Sequence, residues 1–521
     1  MRIVVSKSFL VLFFKKELLP SFGWKADVAA LSLGGVTALA LPPLTILPAL
    51  FIGIPGLLWL IDRSGSWRGA ARRGLAWGVG HHLVGLYWVT NAILVEAAQF
   101  WWAVPIGVPL LAAVLAVFIA VPCGVARLVP AGWGRLGVFA GAWELGDLAR
   151  QFVLTGFPWN PLGSVWELPG SLGLAFMQPA AWVGVGGLTL ATVLVAGATG
   201  RGWRGVAASF VALAVWGGAG AMRLQVPAGA PPGIDAVLVQ GNVSELEHRD
   251  HWQDRQWMEG IFERHLALTR QGVAEAGGAK TLVVWPETAS PYWLAEDPQA
   301  RQAIAEAARP ALATISGTIR AGDRPTTLYN SMVAVMPDGT SGGYYDKHHL
   351  VPYGEYFPSY LPIRLGEQGF TAGPGVRTLH LRGLPPIGPL ICFEAAFPAD
   401  VVDEHDRPQL MLNITNDSWF GNSSGPRQHF AAARMRAVEE GLPLVRAANT
   451  GISAVVDAHG KVAASLGLDR RGVLVVPIPG YLQPTLFSRL GLYLPLFFSI
   501  LSCFAGGIWG KARGIGALND K

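Results

Sequence analysis

The stretch Thr281-Leu-Val-Val-Trp-Pro-Glu287 decides the reading of this chain. An apolar, β-branched run stops at a proline and ends on a carboxylate, the pattern of a buried strand that delivers an acid at its C-terminal end. Two later stretches repeat the arrangement. Tyr344-Tyr-Asp-Lys347 delivers an amine, and Pro389-Leu-Ile-Cys392-Phe-Glu394 delivers a thiol with a second carboxylate two residues on. A carboxylate, an amine and a thiol, each at a strand end, are the parts of a cysteine acyl-transfer site.

The sequence around these stretches alternates in period. Strands are expected at 234–240, 281–285, 313–319, 331–336, 388–392, 410–415, 444–448 and 454–457, with helices over 252–274 and 298–309. Met336-Pro-Asp-Gly-Thr340 and Asp457-Ala-His-Gly-Lys461 read as hairpin turns. Residues 226–482 are thus expected to form an α/β domain with mixed strand pairing.

Outside that domain the composition changes. The chain has 20 Trp and 65 Gly in 521 residues with only 14% charged residues, and its mean hydropathy of +0.37 is that of a membrane protein. Apolar runs near 26–44, 46–61, 75–95, 100–126, 136–150, 171–198, 205–222 and 485–510 are read as eight membrane spans. The first two could form one hairpin around Leu41-Pro-Pro-Leu44, and the fifth is interrupted by Glu144 and Asp147. The expected organisation is a membrane domain over 1–225, the α/β domain over 226–482, and a last span with a tail over 483–521.

Loop charge orients these spans, because Lys and Arg near span ends are retained in the cytoplasm. One set of loops holds Arg63, Arg68, Arg72, Arg73, Arg127, Arg135, Arg201 and Arg204, with basic residues in both terminal segments; the short loops of the other set hold Arg150. Both termini are therefore expected in the cytoplasm and the α/β domain outside it, on the periplasmic face of a bacterial inner membrane. The apolar run 9–14 is too short for a signal peptide and is read as an interfacial segment. The pI of about 9.1 reflects the basic loops and implies no nucleic-acid partner.

Cys123 and Cys503 fall in expected spans, where they pack as small apolar residues. Cys392 is then the single thiol of the α/β domain. No disulfide framework can be built on it, and an unpaired thiol in an oxidising compartment is easier to explain if it works.

With these motifs in view, residues 226–482 resemble the nitrilase, or carbon–nitrogen hydrolase, superfamily. The whole chain resembles the bacterial apolipoprotein N-acyltransferase family. The resemblance is carried by Trp285-Pro-Glu287, Asp346-Lys347 with Val351-Pro-Tyr-Gly-Glu355, Cys392-Phe-Glu394, the stretch Asn413-Ile-Thr-Asn-Asp-Ser-Trp-Phe-Gly421, and Leu154-Thr-Gly-Phe-Pro-Trp159. It implies an α-β-β-α sandwich inserted in an all-α transmembrane bundle of about eight helices. It also implies a phospholipid acyl donor, phosphatidylethanolamine being typical, and the S-diacylglyceryl cysteine of an apolipoprotein as acceptor. Glu355 and Glu394 map onto further site residues of the family, and Trp419 lies in the fourth motif. Phe393 stands where the family commonly has tyrosine, so a hydroxyl role is lost there and a packing role is kept.

The chemistry follows from the residue types. A thiol of pKa about 8.5 needs a base or a cation to become a nucleophile at neutral pH. Glu287 is the candidate base and Lys347 the candidate partner of the thiolate and of the oxyanion. Thioester to amide runs downhill, so no cofactor is called for. His348-His349 and the pair His248 and His251 lack a third ligand at metal spacing in the sequence, and no metal is expected. His81, His82, Glu144 and Asp147 fall within spans and are assigned to packing and interhelical hydrogen bonds. Gly339-Thr-Ser-Gly-Gly343 matches a serine-hydrolase pattern but lacks the strand-to-helix context and is read as a turn.

Aromatic residues near two of the motifs, in Pro291-Tyr-Trp-Leu294 and in 353–361, are expected to meet the membrane, with Trp293 and Phe357 foremost. Two other classes remain compatible with the residues. One is a membrane-tethered amidase using water; the other is a transporter with an external domain, which would show paired broken spans or repeats.

Overall fold

The computed structural model describes residues 23–519, apart from residues 96, 252, 325–326 and 359–368. The apolar run at 9–14 lies outside the described residues. The first half is helical: α1 (Gly23–Ala38), α2 (Leu50–Asp62), α3 (Trp67–Gly85), α4 (Val104–Arg127), α5 (Trp133–Arg150), α6 (Ala180–Thr199) and α7 (Trp203–Arg223). Leu50, Ile54, Leu57, Trp77, Phe139, Trp143 and Trp166 form its dry centre.

Among the described residues, four helices are long and apolar enough to cross a membrane: Trp101–Arg127, Ala180–Thr199, Trp203–Arg223 and Tyr493–Ala512. The other expected spans are also helical, but shorter or more polar. α1 has 16 residues and α2 has 13, and a turn over 39–46 joins them as a hairpin. α3 begins at Trp67, takes in Arg68, Arg72 and Arg73, and ends at Gly85, inside the run expected over 75–95, whose remainder forms a separate short helix, Val89–Val95. The run at 171–198 is two helices, Gly170–Met177 and α6, separated by Gln178 and by Pro179, which cannot donate to a helix ladder.

The second half is a sandwich of two sheets. β1 (Asp235–Gln240), β2 (Thr281–Val284), β3 (Ala313–Ala321), β4 (Leu328–Val335), β5 (Ser341–Asp346) and β11 (Gly472–Pro477) form one sheet in the order β11-β1-β2-β3-β4-β5. β6 (Ile387–Ile391), β7 (Leu410–Thr415), β8 (Leu444–Ala448), β9 (Ser453–Val456) and β10 (Val462–Leu466) form the other in the order β10-β9-β8-β7-β6. β1-β2-β3 and β6-β7-β8 run parallel, and the flanking pairs are antiparallel.

Alternate residues of the two sheets meet in one core, with Leu238, Val284 and Ile315 from one side and Ile391, Leu412 and Ile414 from the other. The opposite face of the first sheet packs on α8 (Arg255–Glu275) and α9 (Pro298–Ala307). That of the second packs on α10 (Ser424–Glu440). Parallel strands buried on both faces explain why β2 and β7 read as continuous apolar runs. The last helix, α11 (Tyr493–Asn519), returns to pack against α5.

The halves are joined by α10 and by a kink in α6. Gly184 has φ 67 and ψ 173, outside the helical region, and a β-carbon there would stand 2.2 Å from the ring of Phe487. The kink frees the backbone N–H of Val185, which donates to Glu439 of α10 at 2.6 Å. Met177, Val185 and Leu188 then pack on Met435 and Val438 of the same helix.

Candidate active site

Glu287 follows β2, and the loop that carries it lies directly on β3. Trp285 N–H donates to the Ile315 carbonyl at 2.8 Å and Gly317 N–H to the Pro286 carbonyl at 3.1 Å. Any β-carbon at Gly317 would stand 2.5 Å from the Glu287 Cα, so this approach requires glycine. Three donors converge on the Glu287 carboxylate: Asn330 Nδ2 at 2.8 Å, Lys347 Nζ at 3.2 Å and the backbone N–H of Asn416 at 2.7 Å.

Lys347 leaves the end of β5 and is 1% exposed. Its neighbour Asp346 is held by Arg320 at 2.7 Å and Ser331 at 2.6 Å, which fixes the strand end. Lys347 Nζ also pairs with Glu355 at 2.8 Å, and Glu355 accepts from Asn330 Nδ2 at 2.7 Å and from Val351 N–H at 2.8 Å. Burial works against the ammonium, but Glu287 and Glu355 more than offset it, so the pKa lies above the usual lysine value.

Cys392 follows β6 and opens a 3-10 turn, Cys392–Ala396. Its φ of 51 is a left-handed conformation rare for a residue with a side chain. Thr288, directly after Glu287, and Tyr353, two residues before Glu355, share this feature with φ 50 and φ 64. Such strain gathers where surrounding bonds over-determine a site. Glu394 supplies one of those bonds, accepting from Ile391 N–H at 2.7 Å with one oxygen; its other oxygen takes His348 N–H at 2.7 Å and the Tyr345 hydroxyl at 2.9 Å.

The thiol lies between two sets of polar groups. Burial pushes its pKa up, Glu287 adds to that and Lys347 opposes it, with Asp417 and Thr415 weaker influences. On the far side, Cys392 Sγ, an Asp417 carboxylate oxygen and a His429 ring nitrogen all lie within 4.8 Å of one another. His429 Nε2 donates to the Cys392 carbonyl at 2.9 Å, and its Nδ1 is 2.8 Å from Asp417, which Arg446 holds at 2.9 Å. Burial disfavours the Asp417 anion, yet His429 and Arg446 keep its pKa below the usual carboxylate value.

Thus the fold brings Glu287, Lys347, Glu355, Cys392 and Glu394 into one buried cluster. Asn330, Asn416, Asp417, His429 and Arg446 join them unannounced by the sequence reading. Asn416 and Asp417 lay inside the stretch 413–421, but α10, which carries His429, was not expected as an element. Phe393 is buried against Phe157, Trp159 and Phe397, in keeping with a packing ring. Trp293 and Trp419 are exposed, and Phe357 is half-buried with its ring edge-on to Tyr353; none of the three is bonded into the cluster. Residues 359–361 of the expected aromatic loop lie outside the described residues.

One expectation needs correction. The sequence offered no third ligand near His348-His349, but the fold carries Asp400 to them, with the ligand atoms of all three within 4.8 Å of one another. His349 Nε2 is 2.6 Å from Asp400, and His348 Nδ1 is 2.6 Å from Glu394. Beside the second such group, Cys392, Asp417 and His429, the Arg446 guanidinium already pairs with Asp417 at 2.9 Å and lies 3.3 Å from His429 Nδ1, which disfavours a further cation. In the helical half, His81 stacks on Trp77 and meets His82 edge-on, and Asp147 pairs with Arg150 at 3.1 Å. Glu144 departs from the expected interhelical bonding: neither carboxylate oxygen has a hydrogen-bond partner among the described residues. Cys123 is buried and Cys503 half-buried, both against other helices.

A two-sheet sandwich between helices, with a buried cysteine, glutamate and lysine at neighbouring strand ends, defines a carbon–nitrogen hydrolase domain, and the carbon–nitrogen hydrolase family model matches residues 238–485. The apolipoprotein N-acyltransferase N-terminal domain model matches residues 33–198. The chain is 40% identical to the apolipoprotein N-acyltransferase of Sinorhizobium medicae, over 87% of this chain and 90% of that protein. It is 37% identical to the one from Rhodopseudomonas palustris, over 90% and 92%. A solved carbon–nitrogen hydrolase from Helicobacter pylori is similar at 19% identity and a TM-score of 0.36, over 47% of this chain and 89% of that one. The chain belongs to the apolipoprotein N-acyltransferase family, and it is an enzyme of acyl transfer.

Proposed function

We propose that this enzyme moves a fatty acyl chain from a membrane phospholipid, phosphatidylethanolamine foremost, to the N-terminal amine of a diacylglyceryl apolipoprotein, through a thioester on Cys392. The observation that carries the reading is the meeting of Lys347 Nζ and Glu287 at 3.2 Å beside a buried cysteine held at positive φ, in a chain whose other half is apolar helices.

In the first half-reaction Glu287 takes the thiol proton and Cys392 Sγ bonds to the ester carbonyl carbon. The charge on the carbonyl oxygen is met by the Lys347 ammonium and a neighbouring backbone N–H. Collapse breaks the ester C–O bond, and the lysophospholipid alkoxide leaves with the proton from Glu287. In the second, the acceptor amine attacks the thioester, Glu287 takes its proton, and the thiolate leaves to be reprotonated. A resting thiol with a raised pKa suits this coupling, because nucleophile and base act in one step and the idle cysteine stays protonated.

Both substrates are anchored in lipid, so the catalytic domain belongs on the outer leaflet of the inner membrane, with eight spans and both termini in the cytoplasm. Loop charge supports that orientation. Intact-protein mass spectrometry after incubation with phosphatidylethanolamine vesicles tests the proposal. An acyl adduct on the native chain, absent in Cys392→Ala, is expected; full lipoprotein N-acylation by Cys392→Ala would end it.

A further inference from the structure

Two consecutive residues of α10 tie the nucleophile to the helical half. Gln428 is buried, and all four hydrogen-bonding positions of its carboxamide are filled. Its Oε1 accepts from the indoles of Trp88 at 2.9 Å and Trp159 at 3.0 Å. Its Nε2 donates to the carbonyls of Pro42 and Gly85, both at 3.2 Å. Every one of these partners belongs to the helical half. The next residue, His429, points the other way, to the Cys392 carbonyl at 2.9 Å and to the Asp417–Arg446 pair.

Successive residues on a helix are turned by about 100 degrees, so one helix turn can hold two unlike partners rigidly. Trp159 strengthens the tie, since its ring also faces His429 at 5.6 Å and Phe393 at 6.3 Å between centroids. The elbow at Cys392 is thereby gripped from both sides. Glu394 holds the N–H of the residue before it, and His429 holds its own carbonyl. A strained φ at a non-glycine residue persists only under such constraint.

We propose that Gln428 and His429 are positioning residues for the nucleophile, and that the helical half, through Trp88 and Trp159, sets the orientation of Cys392 as well as delivering lipid. The inference rests on Cys392 being the nucleophile. It makes the helical half part of the chemical apparatus: a small rotation of α10 changes where the thiol stands relative to Glu287, Lys347 and Asp417.

The test uses the full-length protein in detergent and in nanodiscs, with Gln428→Ala, His429→Ala, and the double variant Trp88→Phe with Trp159→Phe. Three quantities are measured: acyl-enzyme formation from phosphatidylethanolamine and from a short-chain, water-soluble ester; the pH profile of Cys392 alkylation; and the thermal midpoint. Acylation is expected to fall roughly 10- to 100-fold on both donors, with a displaced alkylation profile, because small misplacements of reacting groups have effects of that size. Native acylation and an unmoved profile in folded Gln428→Ala would overturn the proposal, as would a loss confined to the bilayer donor. If Gln428→Ala does not fold, the double variant decides, since it keeps a six-membered aromatic ring at each place while removing the two N–H donors to Gln428. Activity surviving in Cys392→Ala would instead strike at the nucleophile itself.

Discussion

Glu394 accepts the backbone N–H of Ile391 at 2.7 Å, one residue before Cys392, the proposed nucleophile, while its other oxygen holds His348 N–H, one residue after Lys347. One fully buried carboxylate therefore ties together the ends of β6 and β5, which belong to different sheets. Burial raises its pKa, but the His348 side chain together with the Ile391 and His348 N–H groups outweighs burial and the net shift is downward. Glu394→Gln keeps the shape but replaces one acceptor oxygen with an amide donor, which then faces donors. Acyl-enzyme formation is expected to fall about 10²-fold, and stability by about 2–4 kcal/mol for the donors left unpaired. Quench-flow acylation and thermal melting check the two; native values in both would show that the tie is dispensable.

Glu287→Gln and Lys347→Met address base and oxyanion partner separately. Each is expected to slow thioester formation by at least about 10²-fold. Cys392 in Glu287→Gln should also alkylate more slowly at neutral pH where Glu287 acts as the base, and faster where its charge only raises the thiol pKa. Acyl-enzyme appearing at the native rate in both variants would refute these roles.

A pH dependence is expected from His348. Burial lowers its pKa, but the Asp400 and Glu394 carboxylates beside the ring win and raise it to about 9. With an unfolded value of roughly 6.5, the imidazolium contributes its full stabilisation below that pH and loses it as pH rises through about 9. The contribution is about 3 kcal/mol. The thermal midpoint should therefore fall between about pH 6.5 and 9 in the native enzyme, and fall less in His348→Gln. Parallel curves for the two proteins would exclude this source.

Trp293 is 43% exposed and Phe357 is half-buried, so neither ring is needed whole by the sandwich core. Trp293→Ser and Phe357→Ser are expected to weaken use of bilayer phospholipid about tenfold or more, and a water-soluble ester far less, if these rings enter the interface. Steady-state rates on the two donors provide the comparison. Equal losses on both would assign the rings to packing.

Much of the catalytic half was legible along the chain. The eight strands expected there recur as β1 to β4 and β6 to β9 within a few residues, because strands buried on both faces are continuous apolar runs ended by proline, glycine or a charge. β5 was foreseen only as the strand end before Lys347, since Gly339–Gly343 was read as a turn and its Ser341, Gly342 and Gly343 belong to the strand, and β10 and β11 escaped notice. Ala463, Ala464 and Ser465 weaken the apolar signal of β10, whose pairing with β9 supplies what its composition does not, whereas β11 carries the plain apolar run Val473-Leu-Val-Val476, which the sequence reading passed over. α10 was missed for a related reason. It is buried nearly all round between the second sheet and the helical half, so Ser424–Glu440 shows no amphipathic stripe.

The sequence by itself determined the candidate chemistry: an acid, an amine and a thiol at three strand ends, one cysteine outside the apolar runs, and a chain divided between lipid-like and soluble composition. These are local properties, written in residue type and short-range period. Tertiary structure decided what holds those groups in place. Asn330 joins Glu287 to Glu355, Asp400 reaches His348, and Gln428 binds four groups far away in the chain. No local pattern encodes such pairings, because a buried carboxamide or imidazole is defined by the partners that satisfy it, and those arrive only when the halves pack.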